Sequence, residues 1–300
     1  MTNKFSGVLP AITTSFRDDG QLDPPSIERN IRRLLDAGVH GIVTTGTVGE
    51  AASLTADERL VVVETAVEAV NGRVPVIAGI SAETAARASE YAAACASVGV
   101  DGLLCLPPTG YVASDHEIVE FFRAVGSSTS LPIMVYNNPD GSRNDMRPQL
   151  IARLSEEVPA VIAVKESSGD PRRVTELREI TAGDIEILIG RDDWVLEGFC
   201  RGATGWVAGA AVVAPDACCQ LYESYISGRL DEASALYGRL LPLARFDSTP
   251  KLVQYFKAGM EEVGADGGIC RPPRQPLDPA EHEQLTVAVR LALAASAFTG

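Results

Sequence analysis

Eight short runs rich in valine and isoleucine recur along the chain at fairly even spacing, and they constrain the fold more than any other feature. They are residues 7–13, 41–46, 74–81, 101–107, 132–138, 160–167, 185–190 and 205–209. None alternates apolar and polar residues strictly, as a strand with one wet face would. Each reads instead as a strand covered on both faces, as in a parallel sheet wrapped by helices. Helix signals lie between the runs. Thr55 stands before ADERLVVVETAVEAV, Ser81 before AETAARASEYAAACASV and Ser114 before DHEIVEFFRAV. Each offers a side-chain oxygen to cap the start of a helix. Asp170-Pro171 opens PRRVTELREI, with proline at a first helical position.

Eight βα units in series, with no linker between them, predict an α/β fold, a closed (β/α)8 TIM barrel. A doubly wound open sheet also alternates strand and helix, but eight evenly spaced units favour closure. The barrel is expected over residues 1–229, its last helix at about 215–228. Residues 230–300 carry only helical patterns, LDEASALYGRLLPLA, TPKLVQYFKAGMEEVG and AEHEQLTVAVRLALAA. They read as a C-terminal helical extension packed on the barrel, not as a separate functional module.

Charge narrows the functional classes. Against 26 Lys and Arg stand 40 Asp and Glu, a formal net charge of −14. Nucleic acids and anionic membrane surfaces require basic patches, so neither is an expected partner. The opening MTNKFSGVLPAITTSF lacks an apolar core of signal-peptide length, and no run of about 18 apolar residues occurs. The expectation is a cytoplasmic protein. His40, His116 and His282 lie far apart, and the six cysteines show no CxxC spacing. No metal site is expected, and the cysteines read mostly as small buried hydrophobes.

Lysine is scarce, and its placement is the main clue. Lys4, Lys165, Lys251 and Lys257 are all of them. Lys251 and Lys257 read as solvated residues on helix faces. Lys165 instead ends the sixth apolar run, and active sites of such barrels lie at the C-terminal ends of the strands. Burial there disfavours an ammonium and favours the neutral amine that attacks carbonyls. The alternative is a lysine simply paired with a carboxylate such as Glu166. Tyr136 ends the neighbouring fifth run, close enough in a barrel to move protons for Lys165. The glycine-rich TTGTVGE after the second run offers backbone N–H groups and the Thr47 hydroxyl to a carboxylate.

GTVGE at 46–50, YNNP at 136–139, VKESSG at 164–169 and GRDD at 190–193 occur in a familiar order and spacing. With them the chain resembles, over nearly its whole length, the dihydrodipicolinate synthase / N-acetylneuraminate lyase family. These are class I aldolase-type barrels that form a Schiff base with a 2-oxo acid. The resemblance implies Lys165 as the Schiff-base lysine and Tyr136 as a proton relay. It implies that Thr47 and the Val48 backbone hold the substrate carboxylate beside Gly46, and that Gly190 and the Val207 backbone line the pocket. It implies no metal or organic cofactor, since the protonated imine is itself the electron sink. It also implies a homodimer or homotetramer.

Departures from the family pattern bear on the substrate. Synthases of this family carry an arginine two residues after the proline of YNxP, where this chain has Gly141; Arg143 is the nearest substitute. The relay tyrosine expected after PPY is replaced by Gly110, with Tyr111 one position later. Val48 replaces a threonine, and Val212 stands where many members have asparagine. These differences point towards a lyase acting on a 2-oxo acid or its cyclic imine. The examples are a 1-pyrroline-4-hydroxy-2-carboxylate deaminase and a 2-keto-3-deoxy sugar acid dehydratase or aldolase. The alternative is a 4-hydroxy-tetrahydrodipicolinate synthase condensing pyruvate with aspartate semialdehyde. Of other classes, a metal- or phosphate-dependent barrel enzyme lacks its motifs here; a catalytically silent, ligand-sensing barrel is opposed by Lys165 and Tyr136 but kept open by Gly110 and Val212.

Overall fold

The structure, a computed structural model, describes residues 5–296, so Lys4 lies outside the described residues. Each of the eight runs contains one strand: β1 Gly7–Pro10, β2 Ile42–Thr44, β3 Val76–Ile80, β4 Gly102–Cys105, β5 Ile133–Asn137, β6 Val161–Glu166, β7 Glu186–Ile189 and β8 Gly205–Ala208. All pair in parallel in the order β1-β8-β7-β6-β5-β4-β3-β2. The β1–β2 seam is joined by a bridge between Ala11 and Val43, where the Ile12 N–H donates to the Val43 carbonyl at 2.9 Å. The sheet is thus a nearly closed (β/α)8 barrel. Every residue of β3, β4 and β5 is buried, which explains why these strands show no polar alternation.

Local chemistry sets where the helices begin. Thr55 and Ser114 each accept the N–H of a glutamate three residues on, Glu58 and Glu117, whose carboxylates return to the cap backbone. Ser81 does not cap the next helix. That helix is Ala85–Val98, capped by Thr84, while the Ser81 carbonyl accepts Arg59 Nη1 at 3.0 Å. Pro171 stands immediately before helix Arg172–Ile180, whose first N–H donates to the Asp170 carboxylate at 3.0 Å.

Helix Pro215–Ile226 follows β8, and helices Leu230–Ala244, Leu252–Glu262 and Pro279–Ser296 complete the chain. The first and last of these three pack on each other and on Pro215–Ile226. Between the first two, the single turn Arg245–Ser248 packs on the segment that follows β7, at the barrel mouth. No helix among the described residues is long and apolar enough to cross a membrane.

The extension corrects one expectation. Lys257 is not solvated: its side chain is 2% exposed, and its Nζ lies 2.7 Å from Oε1 of the fully buried Glu50. It also donates to the Ile269 carbonyl at 2.6 Å and sits 4.5 Å above the Phe16 ring. Helical spacing marks a residue's face, but it does not reveal that the opposing wall carries a buried carboxylate. Lys251 does lie nearer the surface, paired with Glu281 at 2.6 Å. Breaking one side of a buried pair strands the other charge. Glu50→Ala is therefore expected to destabilise the fold by about 3–5 kcal/mol in urea titration, and the double substitution with Lys257→Met to recover part of that loss.

Candidate functional site

Parallel register aligns Tyr136 of β5 with Lys165 of β6. Lys165 is 5% exposed, and its Nζ lies 4.1 Å from the centre of the Tyr136 ring. The phenol oxygen accepts Asn138 Nδ2 at 3.0 Å, while Asn138 Oδ1 accepts the Gly141 N–H at 3.0 Å. Asn138 thus fixes the ring against a short turn and leaves the phenol proton free to serve another acceptor. Glu166 is not the partner of Lys165. Successive strand residues face opposite sides, and its buried carboxylate accepts Asn137 Nδ2 at 2.9 Å and the Ser168 N–H at 2.6 Å. Burial pushes the Glu166 carboxyl up from its usual range.

Gly190 makes room for the lysine. A Cβ there would stand 2.7 Å from both Cε and Cγ of Lys165, and closer still to the Ser167 hydroxyl. The lysine stem therefore crosses the end of β7 over a residue with no side chain. Ser167 is 1% exposed, and its hydroxyl has no hydrogen-bond partner among the described residues. Both residues line a cavity of about 390 Å³ with Lys165, Tyr136, Thr47 and Val48. An adjoining cavity of about 410 Å³ shares Thr47, Tyr136, Asn138 and Gly141 with it.

The turn after β2 is strained. Thr45 has φ +49° and Glu50 φ +53°, left-handed values costly for residues with a Cβ and unusual for a β-branched one. Tertiary contacts hold them. The Thr45 hydroxyl and the Gly79 backbone sit 3.2 Å apart, Thr14 donates to the Gly49 carbonyl at 2.7 Å, and Lys257 grips Glu50. Thr47 at the tip is exposed, and Val48 is buried.

The other wall lies outside the residues that the sequence selects. Asp247, on the turn Arg245–Ser248, and Arg191, just after β7, both line the Lys165 cavity. Arg191 is ion-paired with Asp140, whose side chain is 77% exposed. The Asp247 Oδ2 accepts the Asp192 N–H at 3.3 Å. Asp192 is fully buried and accepts Trp206 Nε1 at 2.8 Å and the N–H groups of Gly209 and Ala210 at 3.1 and 2.6 Å. Burial pushes Asp247 up to about 6, while the neighbouring Lys165 pulls it downward. Nothing in the sequence spacing links position 247 to position 165; only the return of the extension over the mouth does so.

Of the residues selected from the sequence, Lys165, Tyr136, Thr47, Val48 and Gly190 line one cavity, and Gly46 lines the adjoining one. Three lie outside both. Tyr111 is 44% exposed in a loop held by Asn144, whose Nδ2 donates to the Tyr111 carbonyl at 3.0 Å. Arg143 is exposed with φ +65°, and Val207 is 1% exposed within β8. The cation at the Lys165 cavity is Arg191, not Arg143.

Comparison with known proteins follows the same lines. The model of the dihydrodipicolinate synthetase family matches residues 4–292. The 4-hydroxy-tetrahydrodipicolinate synthase of Methanothrix thermoacetophila is 35% identical over 285 residues, 94% of this chain and 95% of the relative. That of Methanopyrus kandleri is 34% identical over 281 residues, 93% of each. The solved structure of the 4-hydroxy-tetrahydrodipicolinate synthase from Methylacidiphilum fumariolicum SolV superposes with a TM-score of 0.94 at 30% identity, covering 98% of each chain.

The Gly190 contact is open to direct test. Gly190→Ala forces Lys165 and Ser167 aside, and overpacking of this kind costs about 1–3 kcal/mol. The expected result is a loss of that order in urea titration, with the far-ultraviolet circular dichroism unchanged.

Proposed function

The chain belongs to the dihydrodipicolinate synthetase family and is an enzyme of its lyase class; from that premise we propose that it joins pyruvate to aspartate semialdehyde through a Schiff base on Lys165. The observation that carries the proposal is the buried Lys165 amine, 4.1 Å from the Tyr136 ring, at a cavity that also holds the Thr47–Val48 turn. The curated relatives, which span nearly the whole chain, favour condensation over the cleavage suggested by the motif departures.

In this reading the Lys165 amine attacks the C2 carbonyl of pyruvate, and the carbinolamine loses water to give a protonated imine. Tyr136, oriented by Asn138, supplies and recovers the protons of that dehydration. The backbone amides of Thr47 and Val48 hold the pyruvate carboxylate. Loss of a proton from C3 leaves an enamine whose carbon attacks the aldehyde. Hydrolysis then returns the water and frees Lys165. The second carboxylate goes to Arg191, which exchanges its exposed partner Asp140 for substrate. This cation replaces the arginine missing at Gly141.

A second reading, cleavage or dehydration of a longer 2-oxo acid or cyclic imine, is favoured by Gly141 and Gly110. Both remove side chains that a synthase of this family ordinarily carries. Borohydride reduction with pyruvate is expected to leave a stable adduct on Lys165 that Lys165→Arg abolishes. With aspartate semialdehyde as acceptor, Arg191→Ala is expected to raise the acceptor KM by about 10- to 100-fold, the scale of a lost charge-assisted contact, with the pyruvate KM unchanged. If ammonia or pyruvate release from larger 2-oxo acids outpaces condensation, the second reading replaces the first.

A further inference from the structure

The proton that leaves C3 of the imine needs a base, and the position of the usual second relay tyrosine is taken by Gly110, with Tyr111 outside the cavity. Strand order shows where another group could act. Lys165 on β6 has Tyr136 on its β5 side. On its other side lie β7 and β8, and Asp247 stands over their ends. It bonds Asp192 after β7, and its Oδ1 lies 3.1 Å from where a Cβ on Gly209 after β8 would be. Asp247 therefore enters the same cavity from the side away from Tyr136. C3 protons must leave perpendicular to the plane of the imine, so a base facing that plane opposite the phenol is well placed. The Lys165 stem already leans that way over Gly190.

We propose that Asp247, supplied by the C-terminal extension, is the catalytic base that takes the C3 proton of the imine on Lys165. The inference rests on the reading of Lys165 as the Schiff-base lysine. The C3–H pair becomes the C2–C3 double bond, the C–N π pair settles on nitrogen, and the proton passes to the Asp247 carboxylate. When C3 attacks an acceptor carbonyl, the electrons flow back. The new alkoxide takes the proton from Asp247, so no proton is gained or lost over the step. A carboxyl that titrates near neutrality suits a group that must both accept and return a proton.

The charged groups facing Asp247 are Lys165 from β6 and Arg191, Asp192 and Asp193 from the segment after β7. The helices packed on its turn direct their titratable groups elsewhere. Tyr237 donates to the Asp193 carbonyl and to Glu197, Tyr255 stacks on Phe246, and Lys251 pairs with Glu281. Tyr136 touches the lysine through its ring and stays oriented by Asn138, so the two groups have separate tasks.

The probe is pyruvate alone in heavy water, with methyl exchange followed by proton NMR and imine formation by borohydride trapping. Asp247→Asn keeps the volume and an oxygen for the Asp192 N–H. It is expected to trap pyruvate on Lys165 as the wild type does and to exchange the methyl protons on the order of 100-fold more slowly. Wild-type exchange should fall as the pH drops through about 6, where the carboxylate takes up a proton. The variant should lack that limb. Exchange within about threefold of wild type per trapped adduct, with the limb retained, overturns the assignment. If the variant also traps poorly, Asp247→Glu decides: restored exchange per adduct supports the base, and no restoration overturns it. A wild-type protein that forms no adduct overturns the Schiff-base reading itself, and with it this one.

Discussion

A buried ion pair between Glu50 and Lys257 holds the mouth of this barrel together. Glu50 ends the turn that follows β2 and sits in a left-handed conformation that a side chain resists. Lys257 comes from the helices beyond the barrel, at a position 2% exposed. Neither charge would be tolerated there alone, because each is the nearest countercharge that offsets the other's desolvation. The pair therefore fixes the turn and the extension to one another. The Arg271 N–H, donated to the same carboxylate at 3.2 Å, and Arg274, 3.6 Å from it, bring the chain beyond the helix to the same anchor.

That anchor changes what the extension is. As a helical appendage it would only cover apolar surface. Docked through Glu50, it carries Asp247 to the ends of β7 and β8 and closes one wall of the Lys165 cavity. The site thus has two kinds of support. Strand ends place Lys165, Tyr136 and Gly190 with the precision of a hydrogen-bonded sheet, whereas Asp247 is placed by tertiary packing. Asp192 joins the two, its side chain tying β7 to β8 and its N–H holding Asp247.

The same distinction explains what could be read from the sequence. Strands buried on both faces have no polar alternation, so the eight runs were visible, and the lysine ending one of them stood out. Gly190 follows from the family resemblance alone, yet its physical role, space for the lysine stem, is plain once β6 and β7 are side by side. Lys257 eludes a reading from spacing because helical spacing shows which face a residue occupies and not what lies against it. Arg143 lies near YNNP in sequence, but as the left-handed cap of a four-residue helix it is exposed and lines neither cavity. Arg191 had the better claim, since it follows the end of a strand, where barrels of this kind gather their chemistry. Asp247 carried no local signal at all: it lies on a single turn, 82 positions from the lysine it faces (247 − 165).

Charge around the cavity follows from this placement. The chain is strongly acidic, yet in the proposed condensation a 2-oxo acid would bring one carboxylate and aspartate semialdehyde a second. Bulk charge therefore opposes both, and local groups must reverse the field. Arg191 faces the cavity as a cation beside Lys165, and the turn at 46–48 adds oriented peptide dipoles. Against them stand Asp247 and the buried Asp192, whose carboxyls burial drives upward, towards their neutral forms. Asp247, ionised above about 6, keeps its own negative charge, so attraction for an anion at this wall must come from Arg191 and the turn at 46–48.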